Sequence, residues 1–217
     1  MKNGGGALPP LFFIAPARLE YGIILAMTRA DLELLEVLPE QGSWTERQYL
    51  ALNTRRLVEY DDGVLEVLPL PTRTHQFVVA YLFERLKAFI AMDGRVLFSP
   101  YRLRIPTRKY REPDVLWLTP AQIAQSNEEF ADAAELVMEV VSPDDPDRDY
   151  VTKRKDYAQA GIKEYWIVDH LESRVTVLRL EDNQYTEHGL FGPRQMATSH
   201  RLPGFSIAVD EILAQGL

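Results

Sequence analysis

At 217 residues, 46% of them hydrophobic, the chain is long enough to bury a proper core as one domain. Its 32 acidic against 24 basic side chains leave a net charge of −8, which gives no electrostatic reason for nonspecific binding to DNA or membranes. A nucleic-acid site on such a chain would need a local basic patch or metal ions, and with no cysteine, disulfides, thiolate metal sites and a cysteine nucleophile are excluded.

The absence of cysteine fits a cytoplasmic protein, and no apolar run approaches the roughly 18 residues that span a bilayer. The apolar patch Leu8–Ile14 is interrupted by Pro9 and Pro10 and makes a poor signal peptide. Residues 1–26 therefore read as a weakly structured extension, and residues 27–217 as a single domain.

Ser43-Trp44-Thr45-Glu46 matches a capping box and predicts a short helix to about Leu52. Arg56–Tyr60 and Val64–Leu68 flank the turn signal Asp61-Asp62-Gly63, which predicts a β-hairpin. From His75 to Met92, Phe77, Val78, Tyr81, Leu82, Leu86, Phe89 and Ile90 recur at helical spacing, with Thr74 to cap the start and Gly94 the end. Arg95–Phe98 and Tyr101–Ile105 read as a strand pair around Ser99-Pro100. Pro113–Leu118 is a strand, followed by a short helix at Thr119-Pro120.

Leu136–Val141 is an almost wholly apolar run ended by Ser142-Pro143, the pattern of a strand buried on both faces. A helix over Asp149–Ala160, stopped by Gly161, follows an acidic loop. Glu164–Val168 and Val175–Leu180 are strands, Gln184–Glu187 an edge strand, and a last helix lies near Asp210–Ala214. The order predicts an α/β domain with a mixed sheet flanked by helices.

Glu139 lies inside the apolar strand, and an ionised carboxylate there is costly unless an Arg or Lys, a proton or a metal compensates it. Consecutive strands are neighbours about two-thirds of the time, so Asp114 and Glu139 could converge. Two adjacent carboxylates raise one pKa or recruit a divalent cation, and magnesium suits all-oxygen ligands and substrate phosphates. Asp149, Lys153 and Tyr157 fall at i, i+4, i+8 near one helix face, from which the Lys153 ammonium can reach the same pocket. Metal and ammonium together suit phosphodiester hydrolysis.

Arg111-Glu112-Pro113-Asp114, then Glu139-Val140-Val141-Ser142-Pro143, then Asp149, Lys153, Tyr157 and Gly161, then Glu164–Asp169, resemble the Uma-type restriction endonuclease family of the PD-(D/E)XK nuclease superfamily. The resemblance runs from about Thr45 to the C-terminus, taking in His75 and Leu202-Pro203-Gly204. It implies a restriction-endonuclease-like mixed central β-sheet flanked by helices, and a Mg²⁺-dependent endonuclease acting on DNA, with Mn²⁺ as a substitute. Asp114 and Glu139 would be metal ligands, with the Val140 carbonyl as a third. Val141 stands where the superfamily motif has Lys; Lys153 matches the migrated lysine and would orient or activate the water. A homodimer is expected by analogy with nucleases of this fold.

Taken singly, these residues have plainer readings: Asp114 as a turn residue, Glu139 as an ion-pair partner, Lys153 as a solvated helix lysine, Tyr157 and Trp166 as packing residues. Lys155 competes with Lys153 but points roughly 200° around the helix. His75 is either a site residue or a helix-start residue bonded to a loop carbonyl; Glu66 and Asp149 are further candidate carboxylates. Arg102, Arg104 and Arg111 are candidate nucleic-acid contacts from the only basic concentration leading into the site, against a solvent-facing edge strand guarded by charge. A catalytically silent interaction module with the nuclease fold is the alternative. An acid–base glycosidase gives Lys153 no task.

Overall fold

A computed structural model describes residues 38–216, so the expected extension over residues 1–26 lies outside the described residues. The elements below all belong to the unit Glu40–Leu217. In chain order they are α1 (Glu46–Leu50), β1 (Val58–Asp61), β2 (Val64–Val67), α2 (Arg73–Ile90), β3 (Arg95–Phe98), β4 (Arg102–Ile105), β5 (Lys109–Arg111) and β6 (Val115–Leu118). Then come α3 (Pro120–Gln125), β7 (Phe130–Ala131), β8 (Leu136–Val140), a π-helical turn (Arg148–Lys153) running into α4 (Arg154–Gln159), and β9 (Glu164–Asp169). β10 (Arg174–Glu181), β11 (Gln184–Phe191), β12 (Met196–Thr198), β13 (Ser206–Ala208) and α5 (Val209–Leu213) follow.

The main sheet has six strands in the order β11-β10-β9-β8-β6-β3, and only β8 and β9 run parallel, so it is mixed as expected. A second sheet has five strands in the order β2-β1-β5-β4-β7. The hairpin forms as predicted. Asp62 and Gly63, at φ 41° and 97°, make a two-residue turn whose left-handed backbone matches the strand twist.

Four local expectations need correction. Thr45, not Ser43, caps α1, sharing a reciprocal capping box with Gln48. Thr72, not Thr74, caps α2, accepting from the His75 backbone N–H. The core stripe of α2 is Val78, Leu82, Leu86 and Ile90, whereas Phe77 and Phe89 are exposed. β3 and β4 are not a pair: β3 joins β6 in the main sheet, while β4 joins β5 and β7 in the second. The chain changes sheets at Ser99-Pro100, and again where β5 passes through Glu112-Pro113 into β6.

That second crossing builds the site. β8 is buried along its whole length, so its alternate residues enter different cores. Leu136, Met138 and Val140 pack in the core that α2 covers, with Trp117 and Trp166. Val137 and Val141 pack in the core that α4 covers, with Tyr157 and Tyr165. Glu139, sharing their parity, faces α4. No helix among the described residues is long and apolar enough to cross a membrane.

Candidate active site

The antiparallel register pairs Val115 with Met138 and Leu116 with Val137. One step further along, Asp114 stands opposite Glu139. Each carboxylate is tied to the other's strand. The Asp114 N–H donates to Glu139 Oε2 at 3.3 Å, and Asp114 Oδ2 accepts from the Val140 N–H at 2.8 Å. Asp114, immediately before β6, and Glu139, within β8, are held by two adjacent buried strands.

The helix after β8 delivers the third member. Its first turns are π-helical, a geometry that concentrates at functional sites. Lys153 Nζ lies 2.9 Å from Glu139 Oε2 and 3.2 Å from Asp149 Oδ1. Tyr157, one turn on, donates its hydroxyl to Glu139 Oε1. Lys155 is exposed on the far side of the helix, so Lys153 is the lysine that reaches the carboxylates. Val141 is packed fully in the core.

The surrounding charges set the protonation states. Burial would lower the pKa of Lys153, but Asp149 and Glu139 outweigh it and hold the ammonium charged. Burial pushes Glu139 and Asp149 upward, only partly relieved by Lys153. Burial would lower His75, yet its bond to Asp114 holds the imidazole above its usual value. Glu139 and Asp149 thus contact one lysine, whose charge also reaches Glu59 and Asp114.

A cavity of about 380 Å³ opens onto this cluster, bordered by His75, Asp114, Val140, Asp149 and Lys153. Glu139 itself is sealed behind them at 1% exposure. His75 stands in the first turn of α2, buried beside Asp114. Its Nε2 sits 3.2 Å from Asp114 Oδ2. Glu66 is exposed on β2, borders the cavity and pairs with Arg148.

The three arginines do not come together there. Arg102 is half-buried with Nε 3.8 Å from Glu112, and Arg104 is exposed against Asp132 at 2.5 Å. Arg111 is buried at 1% exposure, its guanidinium directed at Glu59, Asp61 and Asp156 instead of at solvent. Glu59, Glu112 and Arg148 went unread in the sequence, as did the hydroxyl role of Tyr157. Glu59 carried a usable signal: a carboxylate between Val58 and Tyr60 in a strand is the same anomaly as Glu139.

The donor set can be tested against a divalent ion. Among the described residues no three His, Asp or Glu side chains form a ready metal-holding group. A shell from two carboxylates, the Val140 carbonyl and water is nevertheless what magnesium, which dehydrates reluctantly, accepts. Asp114 uses only Oδ2 in its bonds to Val140 and His75, and buried Asp149 Oδ1 has no hydrogen-bond partner despite its charge contact with Lys153. All-oxygen donors with excess negative charge fit a hard cation.

The fold has a counterpart among solved structures. A crystal structure of a putative nuclease belonging to DUF820, from Anabaena variabilis ATCC 29413, superposes with a TM-score of 0.68 at 16% identity, covering 82% of this chain and 100% of that one. No curated protein matches the chain. The family model described as "Uma2: Putative restriction endonuclease" matches residues 44–210, from the cap of α1 through the carboxylates and Lys153 to α5. The chain belongs to the Uma2 family.

Proposed function

We propose that the protein is a metal-dependent endonuclease that hydrolyses phosphodiester bonds in DNA. The observation that carries this reading is the convergence of Asp114, Glu139 and Lys153, from two strands and a helix, beside one cavity. The family match and the nuclease-like fold support it at a coarser level.

Asp114, Glu139 and the Val140 carbonyl would hold Mg²⁺, or Mn²⁺ in its place. When bound, such an ion lowers the pKa of a coordinated water and offsets charge on the phosphate. Lys153 stays charged and so cannot take a proton; it orients the water and stabilises negative charge building on the phosphate oxygens. Asp149 and Glu139 fix the ammonium from two sides. Tyr157 locks Glu139, and His75 locks Asp114. The locked rotamers hold the cluster preorganised before substrate arrives.

The test is cleavage of plasmid and linear DNA with Mg²⁺ or Mn²⁺, comparing the wild-type chain with Glu139→Gln. Cleavage by the wild type that vanishes in the variant is expected. Activity that survives the substitution, or no activity on any DNA form, sinks the assignment. Calorimetric titration with Mn²⁺ then separates an enzyme from a silent module, because only an intact site binds the ion.

A further inference from the structure

We propose that a second cavity, beside the carboxylate cluster, is a subsite for an unpaired nucleobase, so that the protein takes a single DNA strand whose bases are not paired. The proposal rests on the DNA-cleaving reading above and names the form of its substrate.

The cavity measures about 570 Å³, within the roughly 300–1,000 Å³ of small-molecule sites. Arg55, Leu57, Phe98 and Glu112 border both it and the catalytic cavity. Glu112 is two residues from Asp114 in the chain. A strand lying against Asp114 therefore finds this second cavity next along the surface.

Charge and ring geometry decide what enters. Three arginines, Arg55, Arg56 and Arg102, face three carboxylates, Glu112 and the exposed Glu128 and Glu129. A track for phosphates would be uniformly basic; this wall is mixed, and a mixed wall of donors and acceptors suits a neutral polar base. Phe98 is 52% exposed and is steadied by an edge-on contact with Phe83 at 5.1 Å. Tyr101 is anchored by a 2.8 Å bond from its hydroxyl to the Asn127 carbonyl. Such held, accessible rings are what bases stack on in single-strand binding proteins.

The polar wall is also unfinished. Arg102 Nε and Glu112 Oε2 are buried without hydrogen-bond partners. Unpaired buried polar atoms are rare and call for a ligand or water. A base edge carries both a donor and an acceptor, matching that pair.

Binding separates the subsite from the chemistry. In a Glu139→Gln background with Mg²⁺, fluorescence anisotropy would follow a labelled single strand, the same strand with one abasic nucleotide, and the blunt duplex. Phe98→Ala should weaken the single strand on the order of tenfold and leave the duplex within about twofold. Arg56→Ala, a fully surface change, should act in the same direction with no effect on folding. The proposal is overturned if the variants bind the strand as the parent does, or if strand and duplex weaken equally. It is equally overturned if abasic strands bind with undiminished affinity. Strand binding that depends on Phe98 in a chain that cuts no DNA would refute the nuclease reading alone. Metal-dependent cleavage with strand affinity indifferent to Phe98 would refute the subsite alone.

Discussion

Two clusters of buried charge lie on either side of the β5–β6 crossing, and their carboxylates respond in opposite ways. On the second sheet, Arg111 meets Glu59 at 3.2 Å, Asp61 at 3.0 Å and Asp156 at 2.5 Å, while Lys109 and Arg148 add further cations. Glu59 and Asp61 are held below the usual carboxylate range there, because these cations, joined at Glu59 by the charge of Lys153 from the other cluster, outweigh burial. On the main sheet, burial lifts Glu139 and Asp149 despite Lys153. Both clusters are buried; they differ in how far charge is matched. Matched charge is a structural device, whereas unmatched charge beside a cavity is what the proposed cation and anionic substrate would complete.

The largest effect that would sharpen this contrast is on stability. Arg111→Leu strips the guanidinium from three carboxylates, two of them nearly fully buried, and should destabilise the fold by about 3–5 kcal/mol, read by urea unfolding. A change under about 1 kcal/mol would mean that Lys109 and Arg148 suffice, and that the network is not what joins β1, β5 and α4. Lys153→Gln should act on the other axis. Cleavage per folded molecule should fall on the order of 10²–10³-fold, the usual loss when one stabiliser of transition-state charge is removed. Single-turnover rates of purified folded protein check this. An unaltered rate would leave Lys153 as a mere ion-pair partner of Glu139 and erase the difference between the clusters.

How much of this could be read from the chain alone follows the range of each interaction. The Leu136–Val141 strand was legible because burial on both faces writes an uninterrupted apolar run, and the i, i+4, i+8 spacing put Asp149, Lys153 and Tyr157 together. The adjacency of Asp114 and Glu139 needed only neighbouring strands, which β6 and β8 are. β5 and β7 were missed because they have three and two residues, too short for a period. The β3–β4 pair failed because a turn signal cannot say whether the chain returns to the same sheet. Arg111 was read as a DNA contact from its basic neighbours. Its partners lie 52, 50 and 45 residues away, so only the fold reveals them. Tyr157 was read as packing, which its ring is; the hydroxyl's bond to Glu139 is the tertiary fact that adds a role.

The smallest effect is a slope. Burial by itself would raise Glu59, but Lys153, Arg111, Arg148 and the Glu112 N–H together bring it below its ordinary value. A carboxyl whose folded pKa is depressed contributes stability that is complete above its unfolded pKa of about 4.3 and is lost as pH falls through the folded value. The urea midpoint should therefore hold from neutral pH down to about 4.3 on this group's account, then decline on further acidification. Glu59→Gln cannot take up that proton. The variant starts less stable at neutral pH, since Arg111 and Arg148 lose a charged partner, and its acid decline should be shallower. Parallel declines in the two proteins would show that the matched cluster does not set the acid limit, and that Glu59 holds its position by packing between Val58 and Tyr60 rather than by charge.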